Sequence, residues 1–194
     1  FNDPKYVVTH DSNGLFLSDF NKYFDEFKNS FILVPIRDCI GYVAAEKTRI
    51  ARRFFGSKRF AKPLPPNFLI KQFNTYDLNS IINTWLISIS RIKLLQETTI
   101  SKNNLITYRF ENLVEQPSNS MRILSKKLDV NYEENLLSPT LCGKKWLGNS
   151  QQGENNGINS KPNEYYKKIL REDEINFIKS KIKDIDEIIQ EQKS

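Results

Sequence analysis

Three short stretches of the chain end in side chains that can do chemistry, each after an apolar, β-branched run. "KYVVTH" (5–10) ends in Thr9-His10, "FILVPIRD" (31–38) in Arg37-Asp38, and "NLITYRFEN" (104–112) in Phe110-Glu111-Asn112. Arg37 offers five donors in a fixed fork suited to two-point contact with a phosphate, and pairing with a helix carboxylate is the structural alternative. His10 is the only histidine. Its ordinary pKa suits proton transfer near neutrality, against the plainer role of a hydrogen-bonded structural residue. Asp11, next to it, is a second candidate base.

A basic run follows Arg37: Lys47, Arg49, Arg52, Arg53, Lys58, Arg59 and Lys62. On a helix Arg49, Arg52 and Arg53 share one side, and no equal set of carboxylates opposes them nearby in sequence. Phe54, Phe55 and Phe60 lie among these cations, so the run reads as a surface for nucleic acid or an anionic glycan, or as a solvated face packed on core aromatics.

The elements that must position these groups follow from periodicity. Strands are expected near 5–10, 31–36 and 104–110. Helices are expected at 17–27, 40–55, 74–96, from Pro117 onward, and at 172–190, where Ile175, Ile178, Ile182, Ile185 and Ile189 form one stripe. "KPLPPN" (62–67) stops any helix before it. Strands separated by helices predict an α/β fold, a parallel sheet flanked by helices, with ligands at the carboxyl ends of the strands. The segment 138–163 holds four of the seven glycines and reads as a long loop, of a length that usually carries function.

The 194 residues are enough for one domain, taken here as 1–194. A composition of 39% hydrophobic and 27% charged residues is that of a globular protein, and the net charge of +6 favours an anionic partner. Cys39 and Cys142 form neither metal-ligand spacing nor a disulfide framework, so no metal is expected and both read as thiols. No apolar run approaches the ~18 residues of a membrane span and no signal peptide is evident. A cytoplasmic location, in a bacterial or viral setting, is the expectation, with the Golgi lumen as the alternative.

The strand end "VTH", the segment "FLSDFNKYFDEF" and "FILVPIRD" resemble the sulfotransferases that use 3′-phosphoadenosine 5′-phosphosulfate (PAPS), many of which show a Lys-Thr-His strand end and then a strand ending Arg-Asp-Pro. "YRFENLVEQPSNSMRILSKKLDV" is similar to their Tyr-Glu-Asp-Leu segment. "PTLCGKKWLGNSQQGENNGIN" is similar to the Trp-x-Gly-Asn-Ser loop of bacterial and carbohydrate-type members. The order and spacing of these segments extend over residues 5–180. The resemblance implies a P-loop NTPase-like sulfotransferase fold. It places Arg37 on the 3′-phosphate of the cofactor, Phe110 near its adenine, and Trp146, Gly148, Asn149 and Ser150 in a loop over the nucleotide. Lys144 and Lys145 would add positive charge.

The chain departs from the family pattern at Cys39 (proline), Ala45 (serine) and Val8 (lysine), which removes one phosphate ligand and one cation. The family's phosphosulfate loop has no counterpart in 1–194 and is expected before Phe1. The implied reaction is sulfuryl transfer from PAPS to a hydroxyl or amine of a carbohydrate or small molecule, with His10 or a carboxylate taking the acceptor's proton. If His10 is that base, His10→Asn in the chain completed with the phosphosulfate loop lowers turnover about 10²-fold. Cofactor affinity and melting temperature stay unchanged. Loss of stability with turnover retained in the folded fraction assigns His10 to the core instead.

Overall fold

The computed structural model describes residues 26–27, 30–56, 65–97, 104–138, 140–141, 144–145, 158 and 161–190. Ile32–Ile36 (β1) and Leu105–Arg109 (β2) pair in parallel, Ile32 opposite Leu105 and Ile36 opposite Arg109. Their sequences, ILVPI and LITYR, carry the β-branched residues that suit a pleated, half-buried surface. Between them run three helices, Cys39–Phe54 (α1), Asn67–Gln72 (α2) and Leu78–Glu97 (α3). After β2 come Phe110–Glu115 (α4), Pro117–Lys127 (α5) and a 3₁₀ turn at Glu134–Leu137. Two-residue strands Thr140–Leu141 (β3) and Lys144–Lys145 (β4) pair antiparallel. A 3₁₀ turn at Lys161–Glu164, the short helix Tyr166–Ile169 (α6) and Glu172–Gln190 (α7) complete the order.

The helix ends have local causes. Asp38 caps α1, its Oδ1 accepting from Gly41 N at 2.7 Å. The helix stops where Gly56 takes φ +71, a left-handed conformation that costs glycine little. Pro66 precedes α2, and Pro117 opens α5 at a position where no N–H is needed. Asp77 Oδ1 accepts from Ser80 N at 3.0 Å at the start of α3. The first turn of α7 carries Glu172, Asp173 and Glu174, which complement the positive end of the helix dipole.

The main core lies among the helices. Val43, Ala44 and Ala51 of α1, Ile70 of α2, Ile81, Ile82 and Trp85 of α3, Ile169 of α6 and Ile175, Ile178 and Ile182 of α7 form one buried cluster. A smaller cluster joins Val34 of β1 and Leu105 of β2 to Ile92 of α3. Thus α3 serves both clusters, packing on one face of the strand pair with its C-terminal half and into the helical core with the rest.

The α/β class and the parallel pairing agree with the sequence reading, and α7 spans the expected residues. The expected strand at 5–10 and most of the expected helix at 17–27 lie outside the described residues. Helices were expected on both faces of the sheet. Among the described residues the sheet has two strands, and on the face away from α3 Leu33 is 42% exposed while Ile106 is buried. The loop expected at 138–163 contains the β3–β4 pair, and helices α2, α4 and α6 are too short for a periodic signal. Among the described residues no helix is long and apolar enough to cross a membrane.

One charged pair lies inside the helical core. Lys47 is fully buried, its Nζ donating to Glu174 Oε2 at 2.9 Å, Glu174 Oε1 at 3.0 Å and the Lys71 carbonyl at 2.9 Å. Glu174 also accepts from Tyr76 Oη at 2.5 Å and from Arg171 N at 2.8 Å, with Arg171 Nη1 at 3.2 Å. Burial lowers the Lys47 pKa even though Glu174 opposes the shift, and burial followed by the Glu174 hydrogen bond raises that of Tyr76. Glu174→Leu leaves an ammonium in the core with one carbonyl acceptor, so a loss of about 3–5 kcal/mol is expected in urea denaturation. Lys47→Met costs less, because Glu174 keeps Tyr76 and Arg171. A Glu174→Leu loss below about 1 kcal/mol would show that the pair is not a structural requirement.

Candidate functional site

Because β1 and β2 run parallel and in register, their carboxyl ends emerge side by side. Each strand hands over at once to a helix, α1 after Asp38 and α4 at Phe110. The residues at the two exits are therefore brought together from opposite ends of a crossover. The Arg37 guanidinium lies over the Phe110 ring, 5.1 Å from its centroid. Asp38 N donates to Glu111 Oε1 at 3.0 Å, and Arg109 Nε lies 3.6 Å from Glu111 Oε2. Arg37 itself is held by its main chain, since its carbonyl accepts from the indole Nε1 of buried Trp85 at 2.9 Å.

Gly41, in the first turn of α1, is tightly enclosed. A Cβ there would stand 2.7 Å from Asp38 Oδ2 and 2.9 Å from Arg37 Nε. Glycine thus lets the cap and the Arg37 side chain lie against the helix start. No acidic residue sits in the first turn of α1, so Asp38 is the carboxylate nearest its positive end along the chain. Among the described residues the Arg37 guanidinium makes no hydrogen bond or ion pair, and its contact is with the Phe110 ring. A guanidinium beside a helix N-terminus, with its donors unclaimed, suits an anion.

Glu111 is the electrostatic anomaly of this cluster. Its Oε2 is buried and has no hydrogen-bond partner among the described residues. Burial raises its pKa first, and the neighbouring Asp38 carboxyl pushes it further in the same direction, while the Asp38 backbone N–H opposes them. The folded protein therefore holds this proton at a pH where the unfolded chain has released it. The stability this group contributes is full below the ordinary value of 4.5 and is lost as the pH rises through the raised value.

Of the site residues expected from sequence, the structure joins Arg37 and Phe110. Lys144 is exposed in the β3–β4 pair, and no hydrogen bond or ion pair among the described residues links it to either of them. The backbone of Lys145 forms part of β4, opposite Thr140. His10, Asp11, Trp146, Gly148, Asn149 and Ser150 lie outside the described residues. Sequence reasoning missed Arg109, Gly41 and Trp85. The Asp-x-x-Gly spacing after a strand signals a cap and is legible, whereas the Trp85 contact joins residues far apart in the chain and has no local signal.

The basic run is less free than its spacing suggests. Lys47 is buried against Glu174, Arg49 donates to Glu46 Oε2 at 2.6 Å, and Arg52 is half-buried beside Tyr165. A carboxylate does therefore oppose Arg49, one turn earlier on the same helix. Arg53 is exposed, and 57–64 lie outside the described residues. Among the described residues no group of three or more His, Cys, Asp or Glu side chains could hold a metal ion.

Comparison of the chain with protein-family models, with curated proteins and with solved structures finds no match.

The Asp38 cap is separable from its charge. Asp38→Ala should cost about 1 kcal/mol in urea denaturation, within the 0.5–2 range for a lost N-cap. Asp38→Asn keeps an acceptor for Gly41 N and should stay within about 0.5 kcal/mol of wild type. An Asn variant as unstable as the Ala variant would assign the effect to charge.

Proposed function

We propose that the chain is a sulfotransferase domain that moves a sulfuryl group from PAPS to a hydroxyl or amine of a carbohydrate or small molecule. The observation that carries this reading is the convergence of Arg37 and Phe110 at the carboxyl ends of two parallel strands, 5.1 Å apart. The family resemblance assigns those two residues, 73 positions apart in sequence, to adjoining parts of one nucleotide: Arg37 to the 3′-phosphate and Phe110 to adenine. The groups on hand suit such a ligand. A guanidinium meets a phosphate at two points, an aromatic ring meets a base, and the start of α1 adds amide dipoles.

In this reading the nucleotide supplies the sulfuryl group, and the chain binds, orients and takes a proton. Arg37 holds the 3′-phosphate and Phe110 the base. Lys144 and Lys145 add charge, and Trp146, Gly148, Asn149 and Ser150 close over the nucleotide. The acceptor oxygen or nitrogen bonds to sulfur as the bond from sulfur to the 5′-phosphate oxygen breaks. The acceptor's proton passes to His10 or Asp11, and 3′,5′-adenosine bisphosphate leaves. Most of the acceleration would come from positioning and from cations facing the transferred group.

Titration calorimetry with two ligands tests the reading. Wild type should bind 3′,5′-adenosine bisphosphate more tightly than adenosine. Arg37→Ala should lose about 1.5–3 kcal/mol toward the bisphosphate and little toward adenosine. Equal losses for the two ligands would make Arg37 structural. A wild type that prefers neither, but binds polyanions with a steep dependence on salt, would favour the nucleic-acid or glycan reading of 47–62.

A further inference from the structure

The strand-end cluster holds two guanidiniums and two carboxyls, and its charge balance depends on one proton. Arg37 and Arg109 supply the positive charges. Asp38 is committed to Gly41 N through Oδ1 at 2.7 Å, and its own N–H is committed to Glu111 Oε1 at 3.0 Å. Glu111 Oε2 is buried, faces Arg109 Nε at 3.6 Å and has no hydrogen-bond partner among the described residues. With Glu111 ionised the four side chains cancel. With Glu111 protonated one positive charge is left beside the first turn of α1.

The groups around Glu111 can be named element by element. The start of α1 presents Asp38, the end of β2 presents Arg109, and the end of β1 presents Arg37 across the Phe110 ring. On α4 itself, Glu115 accepts from Asn163 at 2.7 Å. On α5, Arg122 is occupied by the Tyr132 ring at 3.9 Å and by Glu134 at 3.7 Å, while Lys126 and Lys127 are exposed. Glu111 is therefore the buried carboxyl of the group, with one oxygen that has the Arg109 guanidinium 3.6 Å away but no hydrogen bond among the described residues, and burial with Asp38 as neighbour disfavours its charge.

Resting on the reading of the strand ends as an anion site, we infer that Glu111 is a positioning residue that couples anion binding to protonation: an anion at Arg37 is taken up together with a proton on Glu111. An incoming phosphate adds negative charge next to a carboxylate that is already poorly solvated. The cheapest response is for that carboxylate to take up a proton. The Oε1 bond to Asp38 N is kept in either state, so the β1–α1 turn stays docked on α4 while the charge of the site changes.

Glu111→Gln imitates the protonated state, because its amide oxygen can keep the Asp38 N–H bond and nothing ionises. This gives a direction that a merely structural role would not. At pH 8 Glu111→Gln should bind an anion about fivefold or more tighter than wild type, and the two should converge toward pH 5. The ligand's own phosphate ionisations are common to both proteins and cancel in their ratio. Wild type should also take up protons on binding at some pH between 5 and 8, read calorimetrically across that range in two buffers of different ionisation enthalpy. That measurement stands even if the variant does not fold.

Two probes separate this inference from the function proposed above: 3′,5′-adenosine bisphosphate and inorganic pyrophosphate. If pyrophosphate shows the proton coupling and the nucleotide binds no tighter, the coupling holds and the nucleotide reading falls. If the nucleotide binds more tightly but the ratio of variant to wild type is flat with pH and no proton is taken up, the coupling falls and the nucleotide reading holds. If neither anion binds, both fall. A Glu111→Gln protein that binds more weakly than wild type at pH 8 overturns the coupling.

Discussion

Taking an ammonium group out of water costs several kcal/mol, and a protein recovers that cost only where acceptors meet it with good geometry. Lys47 is such a case: three protons, three acceptor oxygens within 3.0 Å, and no exposure. The acceptors come from the end of α2 and the first turn of α7, so one side chain on α1 ties three helices. Apolar residues of the same volume could pack as well. The three bonds form together only in a rotation of α1 that turns Lys47 toward Glu174 and the Lys71 carbonyl.

That constraint reaches the strand ends. Once the rotation of α1 is set, the direction in which its first turn faces is set too, and with it Asp38, Gly41 and the approach of Arg37. A second tie comes from α3, where Trp85 sits in the helical core and donates to the Arg37 carbonyl. Arg37 is thus fixed through its backbone by the core, while its guanidinium lies over the Phe110 ring. For the proposed site the division gives rigid support behind and, among the described residues, donors without a hydrogen bond in front.

Much of this arrangement was readable from residues, and the unread parts share a reason. The strands 32–36 and 105–109, their parallel relation and the long helices follow from apolar period and length. Arg37 and Phe110 stood out because each follows a β-rich run. Lys47 was grouped with surface cations because its one-letter neighbours resemble those of Arg49 and Arg53. Only Glu174, at a separation of 127 residues, turns it inward. Glu111 was visible as a polar strand end, yet its buried oxygen depends on Asp38, 73 residues away. Local pattern reports which face of an element is apolar. It does not report which distant carboxylate meets a given cation.

Those same separations say something about the order in which the molecule assembles. Helices α1 and α3 can begin from neighbours in sequence, but the β1–β2 ladder and the bond between Asp38 and Glu111 close a loop of more than seventy residues. Loop closure of that size is costly before any contact rewards it, and parallel pairing is accordingly slow. The strand ends therefore come into being with the sheet and not before it. A partly folded chain can be rich in helix and still hold Arg37 and Phe110 apart, so helical content measured during refolding runs ahead of the site it will support.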